Sequence, residues 1–306
     1  MRLTKRKLIS SIADWKIKGS GRVSHYLSQW IIPKPTGEIV IDTIYGFRLK
    51  IDPVVDNGVE RSLYYSGTYE KGTLDIIGKI LKEGDLFVDV GANIGLMSIY
   101  AGMIVGKQGS VVAFEPNPNT RKILEENITL NRVESIKVEG VALSSEARRG
   151  KIYDQWDINR GGASLIKPLN PTESYDIEEI TFSEYFKSEQ QIELIKIDVE
   201  GYELEVLTGA KAFISETKVP PVLIVEFSST RANTFGESTS PLYNFLKELT
   251  NYRIFKSLAG KARVSKLIEI KDIQDFPEHD NIYCFTDEHL AKLPAKLFKT
   301  VPGCYN

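Results

Sequence analysis

The chain has 306 residues, 42% of them hydrophobic, and a net charge of −2, with a pI near 6.1. That is enough apolar material for one large core, and the faintly acidic balance disfavours a dedicated nucleic-acid binder, whose domains carry a basic excess. Cys284 and Cys304 make neither a disulfide framework nor a zinc spacing, so free thiols in a reducing, cytoplasmic setting are expected.

Residues 1–30 read as helix. Arg2, Lys5, Arg6, Lys7, Lys16, Lys18 and Arg22 face one acid, Asp14, while Leu3, Leu8, Ile9, Ile12 and Trp15 share a rough apolar face. Either a solvated helix packed on the main body or a helix peripheral to the inner membrane face fits this pattern. No apolar run reaches a membrane-spanning length, and none follows the basic start as in a secretory signal. Pro33 and Pro35 end the helix. Residues 38–51 alternate and read as a small hairpin turning at Tyr45-Gly46. Residues 70–82 carry Leu74, Ile77, Ile80 and Leu81 at helical spacing.

From there short apolar runs alternate with helical stretches. The runs are 86–90, 111–115, 135–143, 193–199 and 222–227, with late strands at 252–258 and 281–285, the last pair antiparallel. Helices are expected from the first run to about 105, then at 118–131, 203–214 and 240–250. This order predicts an α/β fold: a mostly parallel seven-stranded sheet, helices on both faces, and a small N-terminal helix/hairpin appendage. The expected division is 1–60 for the appendage, 61–290 for the main domain with residues 150–181 as an inserted hairpin or lid, and 291–306 for a tail.

In such sheets ligands bind beyond the carboxyl ends of the strands, at the switch in strand order. The first strand–helix turn is Asp89-Val90-Gly91-Ala92-Asn93-Ile94-Gly95. Gly91 and Gly95 permit a tight turn and close approach of backbone to ligand. The following helix start can hold a carboxylate, and Asp89 can accept from an ammonium group. Glu115, ending the second strand, suits the two hydroxyls of a ribose, with Pro116 and Asn117 shaping that corner. A dinucleotide site would want G-x-G-x-x-G. The missing middle glycine and the strand-end Asp89 favour S-adenosylmethionine, with a dinucleotide-dependent oxidoreductase as the competing reading.

Several segments together resemble the FkbM-type methyltransferases: FVDVGANIG (87–95), VVAFEPNP (111–118), VALSSE (141–146), GGASL (161–165), IKIDVEGYELEVLTGA (195–210) and PVLIVEF (221–227). The resemblance implies the class I Rossmann-like fold and O-methylation of a sugar, glycan or other metabolite hydroxyl. It also implies a cofactor lined by Asp89, Gly91, Ala92, Asn93, Gly95 and Glu115, with Ala142 near the adenine. Tyr69-Glu70 resembles a family feature near the methionine end. A helix-start acid favoured by the dipole is the other reading of Glu70.

Methyl transfer from a sulfonium is an in-line displacement helped by alignment and by a base or metal. His25, His279 and His289 all lie outside the matching segments. Asp198 and Glu200, after the fourth strand, are the expected catalytic carboxylates, and Glu226 ends the neighbouring strand. Lys196 stands on the same side of its strand as Asp198. A Mg²⁺ site made by Asp198, Glu200 and Glu226 is an alternative. In the insert, Trp156 could stack on a sugar face and Arg160 could pair an anionic acceptor, with Gly161 and Gly162 permitting a lid. The expected partner is therefore a small-molecule or glycan acceptor and no nucleic acid. Protein, RNA or lipid acceptors are the alternatives.

Overall fold

The computed structural model describes residues 3–13, 20–154, 163–166, 173–228, 240–249 and 251–299. In it the separated apolar runs pair as one sheet. Strands β3 (Leu86–Val90), β4 (Ser110–Phe114), β5 (Ile136–Glu139), β9 (Leu194–Ile197) and β10 (Val222–Ser228) run parallel. Strand β13 (His279–Phe285) lies antiparallel to β10 and also to β11 (Arg253–Ser257), which carries β12 (Leu267–Glu269) at the edge. The order is β12-β11-β13-β10-β9-β3-β4-β5. The sheet thus has eight strands where seven are expected. The eighth, β12, is three residues long, too short to show an alternating pattern.

Strand direction explains the burial. The parallel strands need crossover helices, and these cover both faces. Phe87, Leu194 and Ile224 face one core together with α4 (Lys71–Ile80) and α5 (Leu96–Val105). Val88, Ile195 and Leu223 face the other, with α7 (Phe182–Tyr185), α8 (Glu203–Glu216) and α9 (Ser240–Leu249). Sequence order climbs from β3 through β4 to β5 on one side of β3, and from β9 to β10 on the other. The switch in strand order therefore falls between β3 and β9, where Val90 pairs with Ile197.

The stretch 135–143 does not make one strand. It divides into β5 and β6 (Ala142–Ser144), and β6 joins a second, three-stranded sheet in the order β6-β8-β7. Strands β7 (Arg148–Tyr153) and β8 (Ser174–Thr181) pair antiparallel in that sheet. Helix α8 presses on it so closely that a Cβ on Gly209 would lie 1.9 Å from the Ser144 carbonyl oxygen.

The N-terminal helical region is two helices, α1 (Leu3–Ala13) and α2 (Ser20–Ile31). Helix α3 (Val59–Ser66), which the periodicity does not single out, supports them. The hairpin of β1 (Ile39–Asp42) and β2 (Arg48–Ile51) is stitched to α6 (Pro118–Asn131). Asn127 Oδ1 accepts from Lys50 N at 2.6 Å, while Asn127 Nδ2 donates to Ile94 O at 2.9 Å, tying the hairpin to the glycine turn. Ile9, Ile41 and Leu49 share the core of Phe87 and Tyr283. The appendage is therefore continuous with the main core.

Candidate active site

A cleft holding about 1140 Å³ of empty space, open solvent at its mouth included, lies over the strand ends at the switch point. Asp89, Gly91, Ala92, Asn93 and Glu115 line one end. Glu70, Lys196, Asp198, Glu200 and Glu226 line the other, and Ala142 and Ile152 of the small sheet form a wall.

At the first end, Asp89 is buried at the tip of β3. Ser98 Oγ donates to its Oδ2 at 2.5 Å, and its Oδ1 has no protein partner. Burial raises its pKa. Glu115 lies just beyond β4. Its Oε2 accepts from Asn93 N at 2.9 Å and its Oε1 from Asn117 N at 3.0 Å. Each oxygen keeps a second lone pair. Burial pushes this carboxyl up to about 7, against the opposing pull of those two N–H donors and of Arg121. These are buried acceptors aimed at donors that the protein itself does not supply.

Both glycines take the positive φ that the tight turn needs, and each also makes room for a neighbouring element. The bare Cα of Gly91 abuts the neighbouring strand: a Cβ there would sit 1.9 Å from the Asp198 carbonyl oxygen, and φ is +84°. Gly95 caps α5 with φ +94°, and a Cβ there would meet Leu124 Cδ1 at 2.6 Å. Gly91 lines the cleft, whereas Gly95 packs against α6 and does not. Asn117 also stands behind the wall. Its Oδ1 accepts from Asn119 N and Thr120 N, capping α6, and its Nδ2 donates to Asp154. Its side chain thus fixes the corner, and only its backbone N–H bears on Glu115.

At the second end the carboxylates are compensated. Lys196, buried on β9, donates to Asp198 Oδ2 at 2.8 Å. Lys261, from the turn after β11, reaches Glu70 at 2.7 Å and also Glu226. Asn281 Nδ2 donates to Glu70 Oε2 at 2.9 Å. Burial alone would raise the Asp198 carboxyl, but the ammonium groups of Lys196 and Lys261 outweigh it and hold Asp198 below the ordinary carboxylate range. Burial and the Asp198 charge push Glu226 well above it. Two acids this close push each other's proton affinity apart, Asp198 downward and Glu226 upward. Asp198 leaves 22% of its side-chain surface open, enough for an incoming hydroxyl to reach it.

The grouping departs from the alternative Mg²⁺ set of Asp198, Glu200 and Glu226. Oxygens of Glu70, Asp198 and Glu226 lie within 4.8 Å of one another, and Glu200 is not among them. Two lysine ammonium groups already supply the positive charge there, so the residues present do not fit an added Mg²⁺. Glu200 lines the cleft from a left-handed backbone position, φ 59°, with its carbonyl accepting from Ser164 Oγ at 3.0 Å. The cap of the turn before α8 is Glu203. Its Oε1 accepts from Gly201 N at 3.0 Å and Val199 N at 3.3 Å.

Four non-glycine residues among those described have positive φ: Glu70, Asn93, Arg132 and Glu200. Three of them line the cleft. Such backbone costs energy and persists where packing enforces it, commonly at functional sites. Trp156, Arg160, Gly161 and Gly162 lie outside the described residues. Lys261 and Asn281 carry no sequence signal, because neither has a motif or spacing relation to the strands it serves. Lys261 is placed by its own N–H, which donates to Asp280 Oδ1 at 2.7 Å, and by its carbonyl, which accepts from Gly72 N at 2.9 Å. Of the histidines, His289 is spent in a capping box with Thr286.

A switch-point cleft with a glycine turn at one strand end and an acid at the next defines a Rossmann-like nucleotide-cofactor enzyme of the class I methyltransferase kind. Residues 89–254 match the family described as the methyltransferase FkbM domain, and the chain belongs to that family. It is 30% identical to methyltransferase sdnD of Sordaria araneosa over 182 residues, which is 49% of this chain and 69% of that protein. It is 32% identical to the hexuronic acid methyltransferase AglP of Haloferax volcanii over 148 residues, 45% of this chain and 56% of that one. A crystal structure of methyltransferase FkbM from Methylobacillus flagellatus superposes with a TM-score of 0.42 at 20% identity. It covers 67% of this chain and 44% of that one.

Proposed function

We propose that this protein is an S-adenosylmethionine-dependent O-methyltransferase acting on a hydroxyl of a sugar, glycan or sugar-bearing metabolite. One observation carries the reading: the cleft joins two acid sets of opposite character. Asp89 and Glu115, neither held in an ion pair among the described residues, suit a ligand bearing an ammonium group and a vicinal diol. Asp89 Oδ1 would accept from the ammonium, the free lone pairs of Glu115 would accept from the ribose hydroxyls, and Ala142 would flank the adenine. The sugar-acid name of the relative from Haloferax volcanii supports a carbohydrate acceptor.

S-adenosylmethionine supplies the electrophilic methyl carbon. Asp198, ionised and open to the cleft, accepts the hydrogen bond of the acceptor hydroxyl and sets its oxygen in line. Its depressed basicity makes proton transfer late: the hydroxyl proton leaves as the new O–C bond makes that oxygen acidic, and it passes into the Asp198–Glu226 pair. Glu200 orients the acceptor from the neighbouring wall.

Two measurements test this. Calorimetry should show binding of S-adenosylhomocysteine and none of NAD; the reverse result overturns the cofactor assignment. Labelled methyl from S-adenosylmethionine should appear in glycan or glycolipid fractions of a cell extract, and label confined to protein or RNA overturns the acceptor class. Asp198→Asn is expected to lower turnover about 10²-fold to 10⁴-fold at unchanged S-adenosylhomocysteine affinity, and full turnover removes Asp198 from the chemistry.

A further inference from the structure

Helix α2 is packed the wrong way round for a soluble surface. Ser24 and Ser28 face inward, and Ser24 Oγ donates to Ile9 O at 2.8 Å. Val23, Tyr26, Leu27 and Trp30, spaced i, i+3, i+4 and i+7, face outward. Trp30 is 90% exposed, Tyr26 64% and Val23 52%. On α1, Leu8 is exposed beside Lys5 and Lys7. A surface helix normally buries such a stripe, and a contiguous apolar patch left outside marks a docking face.

The orientation is fixed. Arg6 of α1 is buried, its Nε donates to Tyr64 O of α3 at 2.8 Å, and its guanidinium stacks 5.7 Å over the Tyr64 ring. Lys71 Nζ donates to Ser10 Oγ at 3.1 Å. The helix pair is thus held against α3 and the start of α4, next to cleft residues Val59 and Glu70.

Charge decides the occupant. Beside the patch, Lys5 and Lys7 are exposed and neither helix, over its described span, holds an acid; by sequence, residues 1–31 carry seven basic side chains and one acid, a net +6, while the rest of the chain is net −8. A second copy meeting this face symmetrically would bring Lys5 and Lys7 against like charge. An anionic lipid surface complements the charge, and the amphipathic Tyr and Trp rings suit the headgroup boundary. We infer that the α1–α2 pair docks the protein peripherally on an anionic membrane, with Val23, Tyr26, Leu27 and Trp30 entering the interface. No helix among the described residues is long and apolar enough to cross a membrane, so the contact would lie on the surface.

The inference is independent of the acceptor. Co-sedimentation of the full chain with phosphatidylcholine vesicles containing phosphatidylglycerol should show binding that weakens as salt rises. Pure phosphatidylcholine should bind at least tenfold less. Trp30→Ala should weaken binding about tenfold, and neutralising Lys5 or Lys7 about fivefold each, with thermal unfolding unchanged because all three side chains are exposed. The two lysine variants give the same readout where a Trp30 variant fails to fold. Absence of binding, equal binding to neutral vesicles, or a dimer by light scattering that Trp30→Asp dissolves would overturn the proposal.

Discussion

The two ends of the cleft are built from the same residue types and solve opposite problems. At the glycine-turn end, Asp89 and Glu115 are buried acids outside any ion pair among the described residues, and burial outweighs the charges of Lys196 and Arg121 to raise their pKa values. At the other end the buried acids Glu70 and Glu226 and the partly open Asp198 are threaded by Lys196 and Lys261. The first arrangement costs stability and leaves acceptors waiting for a ligand. The second satisfies itself, with proton affinity divided unequally between Asp198 and Glu226. The contrast separates binding from chemistry within one pocket: an uncompensated acid gains by taking up donors, whereas a compensated one can exchange a proton without being left as a bare buried charge.

Gly91 is where the two ends touch, so it breaks both at once. Gly91→Ala combines positive φ with a Cβ 1.9 Å from a backbone oxygen, and a loss of about 4 kcal/mol or more is expected in denaturant unfolding. The next largest effect isolates the compensated end. Lys261→Met leaves Glu70 and Glu226 without their ammonium partner and should cost about 3–5 kcal/mol. Adding Glu70→Gln should return part of that loss, and strict additivity in the double-mutant cycle would remove the coupling claimed here.

Glu115→Gln sharpens the other side. It should weaken S-adenosylhomocysteine about tenfold to hundredfold in calorimetry while leaving the ligand-free protein as stable or more so at pH 8. The smallest effect is the pH dependence of the same carboxyl. Its pKa rises from 4.5 to about 7 on folding, so the folded state binds the extra proton between those values. Ligand-free stability should therefore increase as pH falls from 7 towards 4.5. Ligand affinity needs the ionised form and should fall as pH drops below 7, approaching a factor of about ten per pH unit. Parallel rather than opposite trends for wild type, or trends retained in Glu115→Gln, would place the titration elsewhere.

What the sequence determines by itself is local. Strands β3, β4, β9 and β10 are legible because each is an unbroken apolar run, as a strand covered on both faces must be. Helix α6 is legible over 118–131 because Pro118 and the capping Asn117 mark its start. The glycine turn, Glu115, Asp198 and Glu226 are legible because ligand chemistry in this fold gathers at strand ends. Tertiary structure alone decides what those residues face. Gly91 is bare for a neighbouring strand, Asn117 serves a helix cap, and Gly95 makes room for Leu124. Lys261 and Asn281 enter from loops and strands about 190 and 210 residues beyond Glu70 in the chain, where no periodicity or spacing can relate them. The glycine turn therefore announces a cofactor pocket from sequence, but the charge state of the acids around it depends on which cations the fold delivers. That is a long-range electrostatic property no local pattern encodes.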